Sequence, residues 1–248
     1  MAVIPLLVAV LSLAVAACGP ADGVTYFATL SPGSELPDGE RCRELVSVAS
    51  SAETHPENRA ANATVEAPPV EIDGLDADPG SDAAPPLVAR ITGDFTGTTE
   101  QILRWGACKW GFDEDVTRAR AVTESSWSME TAGDLTVDPD DCGALGLEAP
   151  CPLSYGLLQV KGTVHVGTYP ASTRATAFGV DYAMAWLRAC YEGHFHWLDD
   201  QGYEAGDEWG CIGAWFSGEW WDRGADGYVD EVRRHLDDRT WEEYRPVE

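Results

Sequence analysis

Six cysteines beyond residue 18 set the first bound on this chain: Cys42, Cys108, Cys142, Cys151, Cys190 and Cys211. The chain opens on an apolar run, Met1 to Cys18, that ends in Ala-Ala-Cys-Gly and reads as a secretory signal, too short to span a membrane. An even number of cysteines behind an export signal predicts a disulfide framework. Six cysteines permit fifteen pairings, and spacing alone fixes none. The simplest set joins Cys142 to Cys151 around a loop holding Gly143, Gly146 and Pro150, and Cys190 to Cys211 across two helix ends. It leaves Cys42 with Cys108. There is no C-x-x-C pair and the five histidines are scattered, so neither a metal site nor another cofactor is expected. His194-Phe195-His196, the nearest thing to a ligand pair, is placed at the surface beyond a helix end.

The stretch from Phe112 to Met129 carries the chemistry. Asp113 is a good N-cap, and Glu114 and Asp115 suit the positive end of a helix dipole, so a helix is predicted to begin here. At helical spacing Val116, Ala119, Thr123, Glu124 and Trp127 share one face, which sets Glu124 in line with an apolar stripe. Burial there disfavours the ionised carboxylate and raises its pKa, as general-acid work near neutral pH requires. Arg120, one turn earlier, offers the plainer alternative of an i, i+4 surface ion pair.

Three stretches in residues 99–248 resemble the lysozyme-like superfamily, in particular the lytic transglycosylase (SLT-type) and goose-type lysozyme group. They are E-S-S-W at Glu124–Trp127, S-Y-G-L-L-Q-V at Ser154–Val160, and, more loosely, G-A-W-F-S-G at Gly213–Gly218. The resemblance implies that Glu124 is the catalytic acid. It also implies that Ser125, Trp127, Ser154, Tyr155, Gly156, Gln159 and Trp215 shape a glycan cleft. In the third stretch Trp215 stands where the group has Tyr and Phe216 where it has Asn, which removes an expected polar contact. Leu158 for Met is a mild change.

Three segments are expected. Residues 1–18 are the signal, and Val15-Ala16-Ala17-Cys18 resembles a bacterial lipobox, implying lipidation of Cys18. The run before it lacks Lys and Arg, and a plain secretory leader cleaved nearby is the alternative. Residues 19–94 are acidic and rich in Pro and Ala, with Tyr26 and Phe27 their only aromatics, and read as a largely disordered tether. Its most linker-like part is Asp78 to Pro86. Residues 95–248 suffice for one domain. A capping box at Thr98–Gln101, a strand at Leu157–Val160, a helix over Thr176–Tyr191, one from Asp207 closed by Gly218, and a last helix carrying Tyr228, Val232 and Leu236 give a disulfide-braced, mainly α member of the α+β class. The resemblance makes it a lysozyme-like domain with a small β element at the cleft.

Forty-two acids against sixteen bases give a net charge of −26, which excludes nucleic acid and anionic lipid surfaces as natural partners. A membrane would be reached only through a lipid on Cys18. Ten tryptophans suit a glycan, since sugar rings present flat C–H faces to indoles. The resemblance implies an exported, monomeric envelope enzyme that cleaves peptidoglycan strands as a lytic transglycosylase. Two rivals stand: a muramidase using Asp134, Asp138 or Asp141 as its second acid, and a non-catalytic glycan-binding lipoprotein.

Overall fold

The computed structural model describes residues 25–48, 52–72, 75 and 84–244. The leader with Cys18, and residues 78–83 of the stretch read as linker, lie outside the described residues. Helices α1 (Gly39–Ser47), α2 (Arg59–Asn62) and α3 (Ala84–Ala89) come first, followed by α4 (Thr99–Trp110) and α5 (Glu114–Ser125). A small lobe then holds β1 (Ala132–Gly133), α6 (Pro139–Ala144), β2 (Ser154–Tyr155) and β3 (Val160–Lys161). Helices α7 (Thr176–Tyr191), α8 (Glu208–Ser217) and α9 (Arg223–Asp238) complete the chain, with short 3-10 turns between and after them. The three strands form one antiparallel sheet in the order β1-β2-β3. The fold is mainly helical with a little strand, as the sequence predicted.

Local signals explain the helix boundaries. Thr98 and Gln101 form a reciprocal capping box at the start of α4, and Gly111 ends it in the left-handed conformation at φ 65°. Asp113, Asp207 and Asp222 accept hydrogen bonds from the first-turn amides of α5, α8 and α9. Helix α7 lacks a side-chain cap, and tertiary packing holds it: of its sixteen residues only Gly179 is not buried. It packs on α4 and α8, while α9 packs on α5 and α8. Gly106 of α4 lets the first pair approach, since a Cβ there would lie 2.6 Å from Val180 Cγ1.

Two sequence expectations need correction. Leu157–Val160 is not a strand: it lies largely in the turn between β2 and β3, whose register pairs Ser154 with Lys161 and Tyr155 with Val160. The segment read as a tether is also largely packed on the domain where it is described. Phe27, Cys42, Val46, Ile72, Leu75 and Ile91 are buried in the same core as α7. Arg188 donates to the carbonyls of Leu30 and Ser31, and the Leu30 amide donates to the Gly111 carbonyl. Composition understated this arm because a few widely spaced apolar residues are enough once the rest of the core exists to receive them.

The disulfides are Cys42–Cys108, Cys142–Cys151 and Cys190–Cys211, the simplest set expected. Cys42–Cys108 spans 66 residues and staples α1 to α4, whereas Cys142–Cys151 spans 9 and closes a loop within the small lobe. Loop-closure entropy gives about 4 kcal/mol for the first and about 2.6 kcal/mol for the second. Replacing both cysteines of the longer bridge by Ala is expected to lower the thermal midpoint more than the same change in the shorter one, and to open residues 25–48 to protease. Equal losses, or the reverse order, would show that the arm contributes nothing to stability.

Candidate functional site

Helix α5 ends abruptly, and that ending places Glu124. Ser126 and Trp127 take left-handed backbone conformations at φ 51° and 63°, so the chain reverses immediately after the last helical turn. Ser125 fastens the reversal, its Oγ bonding to the carbonyls of Ala121 and Leu157. Trp127 folds back with its indole N–H donating to the Arg118 carbonyl and its ring stacked on Tyr244. At 1 % exposure it is a core residue, not the cleft wall implied by the motif. Asn58, from the supposed tether, plugs the turn: its Nδ2 donates to the Trp127 carbonyl and its Oδ1 accepts from the Met129 amide.

Glu124 is enclosed but keeps a partial opening to solvent. Tyr228 Oη of α9 donates to its Oε1 at 2.6 Å, and the Trp215 indole of α8 adds a weaker polar contact. Burial pushes the carboxyl from 4.5 up to about 7. Tyr228, Arg120 and Trp215 offset part of that rise, and Asp134 adds to it. The surface ion pair offered by Arg120 is not formed. Arg120 is completely buried, makes no ion pair within 4 Å among the described residues, and lies over the Trp215 ring at 5.9 Å. Its Nη1 approaches Met184 Sδ at 3.6 Å, and its Nε and Nη2 have no hydrogen-bond partner. Glu124 is thus a carboxyl held near its protonation midpoint at neutral pH.

The second motif builds the facing lobe, with its polar atoms turned mostly into the protein. Ser154 Oγ donates to Asp134 Oδ2 at 2.7 Å, and Tyr155 Oη donates to the Pro152 carbonyl. Gly156 sits at φ 76°, where a Cβ would lie 2.9 Å from the Ser172 carbonyl oxygen, so no larger residue fits. Gln159 Nε2 donates to the carbonyls of Thr131 and Gly156 and locks the turn between β2 and β3. Of the three candidate second acids, Asp134 alone is close enough to perturb Glu124. Asp138 is the N-cap of α6, and Asp141 is exposed on that helix.

A cleft of about 540 Å³ opens beside Trp215, lined also by Lys161, His165, Trp186, Trp197 and Phe216. His165 stacks on Trp215 with centroids 4.7 Å apart and planes 9° off parallel. Burial first, then the nearby Lys161 charge, pushes its imidazole down to about 4, so it is neutral at pH 7. Phe216, 55 % exposed, stacks on Tyr228 at 4.7 Å. Tyr228, whose ring Phe216 covers, gives Glu124 a hydroxyl contact that Phe216 itself cannot make. Sequence reasoning missed Tyr228, His165 and Trp186. Tyr228 lies on the apolar stripe of α9, a signal that reads equally as core. Among the described residues no three His, Cys, Asp or Glu side chains group so as to hold a metal ion, and no helix is long and apolar enough to cross a membrane. No protein-family model, curated protein or solved structure matches the chain.

Two outcomes follow from this geometry. Tyr228→Phe deletes a donor to the ionised carboxylate, so the Glu124 titration, followed by its carboxyl 13C shift, is expected to move to higher pH; an unmoved midpoint would separate the two residues. The second concerns stability. Because the folded pKa of Glu124 lies above its unfolded value, its contribution is fully present below pH 4.5 and is lost as pH rises through about 7. Glu124→Gln, which cannot ionise, should therefore gain thermal stability relative to wild type between pH 5 and pH 8.

Proposed function

We propose that this chain is an exported peptidoglycan lytic transglycosylase of lysozyme-like fold, acting as a monomer, with Glu124 as its acid and then its base. The single observation that carries the reading is Glu124 itself: a motif-matched carboxyl at a helix end, desolvated to a pKa of about 7 and hydrogen-bonded by Tyr228, next to an aromatic-lined cleft. Protonated Glu124 gives its proton to the glycosidic oxygen as the C1–O bond of the N-acetylmuramic acid breaks. The substrate's own N-acetyl carbonyl oxygen bonds to C1 in place of a protein nucleophile. The Glu124 carboxylate, steadied by the Tyr228 hydroxyl and the Trp215 indole, then takes the proton from the C6 hydroxyl. O6 bonds to C1 and releases the N-acetyl oxygen, giving a 1,6-anhydro product and a reprotonated Glu124. Trp215, with Trp186 and Trp197, provides flat surfaces for sugar rings. Three disulfides fit an oxidising, exported setting, and anchoring through Cys18 belongs to the same proposal.

A hydrolytic second reading is favoured by one observation, the electrostatic coupling of Asp134 to Glu124. Product chemistry separates the two. Mass spectrometry of digested peptidoglycan is expected to show anhydro-muropeptides, with Glu124→Gln reducing turnover by roughly 10²- to 10⁴-fold while strand binding persists. Reducing-end products would replace the proposal with hydrolysis through Asp134. Binding without any products would reduce the domain to a glycan-binding module. The wild-type rate should also fall as pH rises through about 7, where the acid loses its proton.

A further inference from the structure

The charge of the cleft runs against the charge of the chain. The sequence holds 42 acids and 16 bases, yet among the described residues none that lines the cleft is Asp or Glu. Its two titratable lining groups are Lys161 and His165, and His165 is neutral at pH 7. Lys161 is therefore the one charged side chain of the wall. It stands on β3, across the ladder from Ser154, so the sheet fixes its direction. Its Nζ lies 3.3 Å from Asp134 Oδ2, and its side chain remains 39 % exposed. An ammonium carries three donors, and Asp134 is the partner it meets in an ion pair this exposed, which holds weakly. Lys161 lines the cleft beside the Trp215–His165 stack, close enough for its charge to act on His165, and meets Asp134, whose charge acts on Glu124.

We propose that Lys161 is a specificity residue whose ammonium receives the carboxylate of an acidic sugar ring seated on the aromatic wall, so that the cleft selects carboxylate-bearing glycans over neutral strands of the same backbone. This rests on the glycan reading of the cleft, not on turnover. In a protein of net charge −26 an anionic strand is repelled at long range, and the Lys161 ammonium, held only by its exposed pair with Asp134, gives a carboxylate a local partner where the ring docks. The carboxylate also competes with Asp134 for the same ammonium, so a bound acidic sugar releases Asp134 from its ion pair.

The test measures binding, in a Glu124→Gln background that removes turnover. Three probes are titrated calorimetrically: peptide-free strands of alternating N-acetylglucosamine and N-acetylmuramic acid, the same strands with their carboxylates amidated, and a chitooligosaccharide of equal length. The expected result is that Lys161→Met weakens the acidic strand by roughly tenfold or more and leaves the two neutral probes within about twofold, while Lys161→Arg retains most of the discrimination. Equal loss on all three probes would make Lys161 merely a support for the small lobe, and no loss on any would remove it from recognition; either overturns the proposal. If wild-type protein yields no cleavage products while the charge discrimination holds, the catalytic reading alone fails. If none of the three probes binds, the glycan reading and this inference fail together.

Discussion

Asp181 lies in the middle of α7 with no exposure, and its two carboxylate oxygens take four donors. Lys109 Nζ approaches at 2.6 Å, Trp110 Nε1 at 2.7 Å, and the amides of Thr92 and Gly93 at 2.8 and 2.9 Å. A carboxylate so far from water survives only when every acceptor site is used. Satisfying it therefore fixes α4 against α7 and the chain at 92–93 against both. The same logic recurs between α4 and α5, where Arg118 pairs with Glu100, Glu114 and Asp115. It recurs again where Arg188 holds Glu192 and the carbonyls of the arm. Removing one partner from such a group leaves an uncompensated buried charge, which costs several kcal/mol.

Against that pattern Glu124 stands out. Its helix is full of compensated charge, yet it has a phenol and an indole for company and no cation within ion-pair distance. The fully buried Arg120 offsets only part of the rise in the Glu124 pKa without forming an ion pair with that carboxyl, and leaves two of its own nitrogens unpartnered. A domain that elsewhere neutralises its buried charges keeps one carboxyl underpaired against Trp215, a residue of the cleft wall. That arrangement is costly for stability and useful for proton transfer.

The sequence was most legible where the controlling contacts are local. Thr98 with Gln101, Asp113 with the amides two and three residues on, and Asp207 with Gly210 are bonds across one turn, so caps read directly from spacing. Glu124 was legible because an acid in an apolar stripe is a local anomaly. Its partner was not: Tyr228 lies 104 residues away, and nothing in the α9 pattern marks one stripe residue as facing a carboxyl. Trp127 was assigned to the cleft by the resemblance, whereas the left-handed backbone at Ser126 and Trp127 carries its indole into the core. The arm was misread for a related reason. Asn58 and Asn62 look like loop residues until Thr99, Trp127 and Met129 supply their distant partners.

The hydrogen bonds of Asp134 bear on which chemistry the site favours. To activate water across a sugar ring, a carboxylate must be ionised, basic and free to accept a proton. One of its oxygens, Oδ2, already accepts from Ser154 Oγ at 2.7 Å and meets Lys161 Nζ at 3.3 Å. Both contacts fall on that one oxygen and leave it less free to accept a proton from water. Asp134 also occupies a strained left-handed position at φ 53° at the end of β1, held there by the same contacts. A bond network that keeps Asp134 engaged suits an electrostatic neighbour that raises the pKa of Glu124 better than it suits a second catalytic acid. In the proposed reaction Glu124 is then both donor and acceptor of the proton, as intramolecular capture by the C6 hydroxyl requires.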